Sequence, residues 1–418
     1  MKNTNRFRIS LAVGLLSFCF WGAVLAMNTI CLLEDKPDPQ ALKAFAQDTN
    51  QFGFDLFQQL RQQQGNLFFS PYSIQSALAM TATGARGDTA QQMTKVLHIP
   101  DDVARFAGME QGLMSSLLNQ PKGYDIRIAN ALWGQNKHPF IPEFISLVQR
   151  SFRAEGRTMD FTKEPDQSRL TINAWVETQT NDRIKDLLPS GSITPLTKLV
   201  LTNAIYFKGT WLTPFNKNFT KPLDFSLTAD QNIKTDMMYR SGQMAYVENN
   251  DLQVVELPYE GGRLSMIVVL PKKKDGLGDV EAMLTAEKLN SWITGMKPVK
   301  VNLTYPKIKT TYSATLNDPL SLMGMVNAFK QDKADFSGMD GTRELSISAV
   351  IHKAFCEINE EGTEAAAATG VVMRAKSAAP INQPPPVEFK ADHPYLYLIR
   401  DTQTGSLLFL GRVADPRN

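Results

Sequence analysis

The chain has 418 residues, enough for a large core in one or two domains. Apolar residues make up 43% and charged residues 21%, an ordinary globular composition that argues against disorder. The net charge of +2 gives no sign of a nucleic-acid partner.

Residues 1–26 read as a secretory signal peptide. Lys2, Arg6 and Arg8 form a basic start, Leu11 to Leu25 an apolar run, and Val24 and Ala26 supply small residues before a cleavage point. An uncleaved anchor is the alternative, although the run is short for a membrane span. Removing the leader takes the balance from +2 to −1, places the protein outside the cytoplasm (secreted or periplasmic) and leaves no membrane segment. Residues 27–40 form a tail with Pro37 and Pro39 near its end, and residues 41–418 the folded domain.

From Leu42 an amphipathic helix is expected, with Phe45, Phe52, Leu56 and Leu60 at helical spacing and Gly65 as a stop. Asn66-Leu67-Phe68-Phe69 reads as a short buried strand. Ser70-Pro71 is a helix start, a hydroxyl cap with proline in the first turn. Ile74, Ala77, Leu78, Thr81 and Ala82 continue that helix, and its small residues predict packing inside the protein. Helices are expected at 101–120, Phe140–Phe152 and Ile172–Leu188, with a strand at Ile126–Trp133. Leu199–Phe207 is a central strand by its apolar continuity. Leu252–Leu257 and Leu264–Leu270 form a hairpin through Pro258-Tyr259-Glu260-Gly261-Gly262. Val299–Tyr305 is a strand, Ser313–Met325 mainly helical, and Leu345–Ile358 a long strand region. Tyr395–Ile399 and Leu407–Val413 close the chain as a hairpin. The elements mix without βαβ regularity, which makes the fold class α+β.

Metal-ligand spacing is absent: His98, His138, His352 and His393 are scattered and no Cys-x-x-Cys occurs. Cys356 alternates with Ala354 and Ile358 on an apolar face, which favours a buried thiol over a disulfide to Cys31. Gly-x-Ser-x-Gly does not occur, and Gly261-Gly262 is a turn rather than a phosphate loop. Asn218-Phe219-Thr220 and Asn302-Leu303-Thr304 are glycosylation sequons, meaningful only in a host that glycosylates.

The stretch from Glu360 to Val387 is the most unusual. Thr363, Ala365, Ala367, Thr369, Val371, Met373 and Ala375 carry no charge. Every charge from Glu364 to Lys376 falls on the alternate positions. That is the parity of a strand with one buried and one wet face. Four consecutive alanines nevertheless favour helix. The residues alone leave three readings: a strand formed only under some condition, a surface helix turn, or a loop.

Glu361-Gly362-Thr363-Glu364-Ala365-Ala366-Ala367-Ala368-Thr369 resembles the hinge of the reactive-centre loop of the serpin family. The resemblance runs from about Leu42 to Pro416. Thr202-Asn203-Ala204-Ile205-Tyr206-Phe207-Lys208-Gly209-Thr210-Trp211 matches the family's central strand. His352-Lys353-Ala354 matches the strand feeding the loop, and His393-Pro394-Tyr395-Leu396-Tyr397-Leu398-Ile399 the carboxy-terminal signature, with tyrosine at 395 where phenylalanine is usual.

The resemblance implies a serpin fold, several β-sheets with surrounding helices, and an exposed reactive-centre loop at about 360–387. It implies a suicide-substrate inhibitor of a serine protease, a monomer without cofactor, metal or catalytic residues of its own. The alternative is a non-inhibitory binding or chaperone protein of the same fold. It places Gly362, Thr363, Glu364, Ala365, Ala366, Ala367 and Ala368 in the hinge. Ser70, Ser73, Asn203 and His352 become a polar cluster controlling sheet opening, and Trp211 a packing residue at the loop's entry. Counted from Glu360 in the family's spacing, the scissile bond falls at Lys376-Ser377, with Arg374-Ala375 as runner-up. A cation there suits a trypsin-like protease.

Overall fold

The computed structural model describes residues 38–100, 102–118, 123–363 and 384–417. Helix α1 spans Pro39–Leu60, followed by strand β1 (Leu67–Phe69) and helices α2 (Pro71–Ala82), α3 (Gly87–Leu97) and α4 (Val103–Leu118). Next come β2 (Tyr124–Gln135), α5 (Pro142–Phe152), β3 (Glu155–Met159), α6 (Pro165–Gln179) and β4 (Leu199–Thr210). Strands β5 (Lys221–Ser226), β6 (Asn232–Glu248), β7 (Leu252–Pro258) and β8 (Leu264–Pro271) lead to α7 (Leu277–Met283) and α8 (Ala286–Gly295). Then follow β9 (Lys297–Pro306), β10 (Ile308–Thr315), α9 (Asn317–Met323), α10 (Ser337–Asp340) and β11 (Ile347–Ile358). The two-residue β12 (Gly362–Thr363), β13 (Val387–Lys390), β14 (Tyr395–Asp401) and β15 (Leu407–Val413) complete the order.

The strands form two sheets. One runs β1-β15-β14-β8-β7-β6-β9-β13, with β5 on β6; the other runs β10-β11-β12-β4-β2-β3, and there β11 also pairs directly with β4. In the second sheet β4 is buried on both faces. Leu199, Leu201, Ile205 and Phe207 enter the main core, while Val200, Ala204 and Tyr206 meet Ile172 and Val176 of α6 and Ile184, Leu187 and Leu188 beyond it. Burial on both sides explains why β4 reads as unbroken apolar sequence.

Local chemistry fixes the second helix. The Ser70 hydroxyl accepts from Ser73 N, Pro71 occupies the first turn, and all twelve residues of α2 are buried, from Ser73, Ser76, Ala77 and Ala79 to Tyr72 and Met80. Helix α1 begins before Leu42 and takes Pro39 out of the expected tail.

One expectation fails. The helix expected to Leu188 ends at Gln179 and starts at Pro165, with proline in its first turn. Asn181, Asp182 and Asp186 adopt positive φ, and Asn173 bridges both backbone groups of Leu188, so 180–188 is an irregular strap. Its apolar residues pack like helical ones without helical backbone. Ser313–Met325 is helical over its larger part, while Ser313–Thr315 finish strand β10. Ile308, Thr310, Tyr312 and Ala314 are buried in strict alternation along β10, and only Asn317–Met323 is helix.

Candidate functional site

The site begins as a seam. Strands β4 and β11 pair in parallel, with Ile351 opposite Thr202, His352 opposite Asn203, Lys353 opposite Ala204 and Phe355 opposite Tyr206. At the head of the seam, β12 turns back between them. Thr363 pairs with Ile358 of β11 on one side and Gly209 of β4 on the other, and Gly362 pairs with Thr210. Both β12 pairings are antiparallel.

A clamp holds the turn that reverses the chain. Trp211 N donates to Glu361 O (2.9 Å), Trp211 Nε1 to Asn359 O (3.0 Å) and Phe215 N to Glu360 O (2.8 Å). The Thr220 hydroxyl donates to Glu360 Oε1 at 2.8 Å, Lys307 Nζ lies 3.4 Å from Glu360 Oε2, and Lys217 Nζ donates to Glu361 at 2.6 Å. Burial raises the Glu360 pKa, but a backbone donor, Thr220 and Lys307 outweigh it and hold the carboxyl below its usual range.

Beneath the clamp, Trp211 stacks on Tyr259 with centroids 4.5 Å apart and planes 14° apart. Tyr259 and Thr363 are both fully buried, and their hydroxyls are 2.7 Å apart. Burial pushes the Tyr259 phenol well above its usual pKa, so it stays protonated. Gly362 permits a close approach: a Cβ on it would sit 1.9 Å from Gly209 O.

Midway down the seam lies a buried polar network. The His352 ring places Nδ1 2.5 Å from Asn203 Oδ1 and accepts Ser70 N–H at Nε2 (3.3 Å). Because Asn203 Oδ1 can only accept, the proton sits on Nδ1. Asn203 Nδ2 donates to Ser73 Oγ (2.6 Å), Ser73 O (2.8 Å) and Asn130 Oδ1 (2.6 Å). Burial lowers the His352 pKa to about 3, so the ring is neutral near pH 7. This arrangement does not pair a serine hydroxyl with the imidazole as nucleophile and base. The ring nitrogen facing Ser70 meets its amide, the Ser70 hydroxyl caps α2, and all four residues are out of solvent.

The structure therefore brings Ser70, Ser73, Asn203 and His352 together under the seam, and Trp211, Gly362 and Thr363 at its head. Glu364, Ala365, Ala366, Ala367, Ala368, Arg374, Ala375, Lys376 and Ser377 lie outside the described residues, as do the leader and Cys31. Cys356 is buried; a bond to Cys31 falls outside the described residues. Among the described residues no group of three His, Cys, Asp or Glu is placed to hold a metal ion, and no helix is long and apolar enough to cross a membrane.

Sequence reasoning missed Tyr259 and Asn130. Tyr259 sits in a stretch read only as a hairpin turn. Asn130 is a lone amide in an apolar strand, which is itself the signal of a buried polar partner.

The fold is thus α+β, and its second sheet holds a parallel seam with the two residues of β12 seated at its head. The family model for "Serpin (serine protease inhibitor)" matches residues 47–416. The chain belongs to the serpin family. It is 41% identical over 395 residues to Serpin B3 of Homo sapiens, covering 90% of this chain and 100% of that protein. It is 42% identical over 375 residues to the leukocyte elastase inhibitor of Bos taurus, covering 87% and 97%. The crystal structure of uncleaved ovalbumin superposes with a TM-score of 0.80 at 30% identity, covering 89% of this chain and 100% of that one.

Proposed function

We propose that this serpin is a suicide-substrate inhibitor of a trypsin-like serine protease, acting outside the cytoplasm as a monomer without a cofactor. The bait is Lys376-Ser377, with Arg374-Ala375 as the runner-up; either presents a cation to a specificity pocket that holds a carboxylate. The protease forms an acyl-enzyme on the bait residue. The freed loop then enters the seam from Thr363 downward and carries the acylated protease with it before deacylation.

The observation that carries this reading is the seating of Thr363. Its antiparallel register on β4, continued downward, sets Ala365 opposite Phe207, Ala367 opposite Ile205 and Thr369 opposite Asn203. Directly paired residues share a sheet face, so the uncharged positions would meet the core and the charged ones the outer side. Insertion would exchange one parallel ladder for two antiparallel ones. Each added backbone hydrogen bond contributes on the order of 1 kcal/mol net. Small side chains at 365–368 enter with little steric resistance.

The test is incubation with a panel of trypsin-like and other proteases, read on a denaturing gel. A denaturant-resistant complex, with release of a fragment beginning at Ser377, is expected with trypsin-like members. Cleaved inhibitor alongside fully active protease would overturn the reading in favour of a non-inhibitory carrier or chaperone.

A further inference from the structure

The network under the seam does not end at Asn130. Asn130 Nδ2 donates onward to Ser76 Oγ of α2 at 3.4 Å. Beyond Ser76 lies Glu110 of α4, fully buried, with neither carboxyl oxygen hydrogen-bonded where it sits. The hydroxyls of Ser76 and Tyr72 are the groups that act on that carboxyl. An unpartnered acid at such a position is costly unless it has a use.

The bonds run head to tail. Ser70 N–H donates to His352, His352 Nδ1–H to Asn203, Asn203 Nδ2 to Asn130 and Asn130 Nδ2 to Ser76. Ser76 keeps its own hydroxyl proton for one further acceptor. Chains aligned in one direction polarise each other, and a charged terminal acceptor strengthens every link. The His352–Asn203 link spans the two strands that must part for any strand to enter.

We propose that Glu110 is a proton switch on the seam: once ionised, its carboxylate draws the Ser76 hydroxyl proton, completes a chain that stops one bond short of it in the structure and tightens β4 against β11, and its protonated form releases that hold. Burial raises the carboxyl pKa to about 7, against an ordinary 4.5, so the switch operates near neutrality. Its surroundings add little competing charge. Of the elements packed on α4, α2 offers Tyr72, whose hydroxyl also contacts Met114 Sδ at 3.8 Å, and α1 offers Phe45 against Phe106. From the end of α5, Arg153 acts on Tyr72 and donates to Ser115 Oγ at 3.5 Å.

The sign is distinctive. Between pH 4.5 and 7 the folded chain binds a proton at Glu110 that the unfolded chain does not, so this group lowers overall stability as pH rises. The seam responds in the opposite sense, tightening as pH rises.

The test is hydrogen–deuterium exchange of β11 amides in the intact, uncleaved protein at pH 6 and pH 8, corrected for intrinsic exchange. It is independent of protease inhibition, so it can fail without touching the functional reading above. Parent protein is expected to open its seam roughly 1.5-fold more often at pH 6, because aligned bonds strengthen one another by only about 10–30%. Glu110→Gln should hold the seam at the pH 6 level throughout. Asn130→Ala, which cuts the chain midway while leaving the acid, should also abolish the pH dependence. An infrared carboxyl signal titrating near neutrality should disappear in Glu110→Gln. Seam exchange without residual pH dependence in the parent, pH dependence retained by Glu110→Gln, or no carboxyl titration near neutrality would each overturn the proposal.

Discussion

The hydroxyls of Tyr259 and Thr363 meet at 2.7 Å beneath the head of the seam, both out of solvent. Thr363 is thus already a core residue. The tyrosine supplies the one polar partner that its side chain needs there, and the stacked Trp211 ring seals the contact from above. What happens at position 363 is therefore a question of burial, not of loop chemistry.

Thr363→Arg tests this most directly. An unpaired charge at a fully buried position costs several kcal/mol. Cleavage at Lys376-Ser377 should continue at parental rate while the denaturant-resistant complex is lost, because insertion fails at its first step. Glu364→Arg, on the alternate face, should leave most trapping intact. Parental complex formation by Thr363→Arg would show that the seated residue is not the start of insertion.

Gly362→Ala places a methyl group against Gly209 O, a backbone atom that cannot swing aside. The expected cost is about 1–3 kcal/mol of stability, typical of overpacking. It should appear as a lower denaturant midpoint with an unchanged slope. A midpoint equal to the parent's would mean that β12 is not seated against Thr210 as described.

His352 fixes part of the acid response. Its folded pKa of about 3 lies below the ordinary 6.5, so between these values the unfolded chain binds a proton that the folded chain does not. Stability contributed by the neutral ring is complete above pH 6.5 and lost as pH falls toward 3. His352→Gln should be less stable than the parent near pH 7.5 by about 1–3 kcal/mol, through the loss of the buried bond to Asn203. The gap should narrow on acidification. Parallel stability curves across that window would count against a neutral buried ring.

Limited proteolysis within 364–383 should raise the melting temperature well above that of the intact chain, because the severed loop is free to complete the sheet. Superimposable melting curves before and after the cut would mean that no strand enters.

Much of this architecture is legible in the residues. Strand β4 declares itself by continuous apolar sequence, and Ser70-Pro71 declares the start of α2, because each signal is local and chemical. The strap after α6 is not legible: Ile184, Leu187 and Leu188 repeat as a helix would, and only the left-handed backbone at Asn181, Asp182 and Asp186 breaks the pattern. Site residues divide the same way. Asn203 and His352 stand out as polar groups in apolar strands, whereas Tyr259 hides in a turn. Glu110 looks like any acid on a helix, since which face of α4 is buried is decided by α1, α2 and α5 rather than by its own periodicity.

The pairing of β1 with β15 sets Leu67 opposite Arg412 and Phe69 opposite Leu410, joining the two ends of the folded domain. On the ribosome, β1 emerges about 340 residues before its partner. At roughly 5–20 residues per second the wait lasts tens of seconds. Throughout that interval Phe68, which later stacks between Tyr397 and Phe409, has no native neighbours from the closing hairpin. A completed hairpin from another nascent copy offers the same edge. Crowded synthesis of this chain should therefore favour exchange of β14–β15 between molecules, and slower initiation, which spaces the ribosomes on a message, should suppress it.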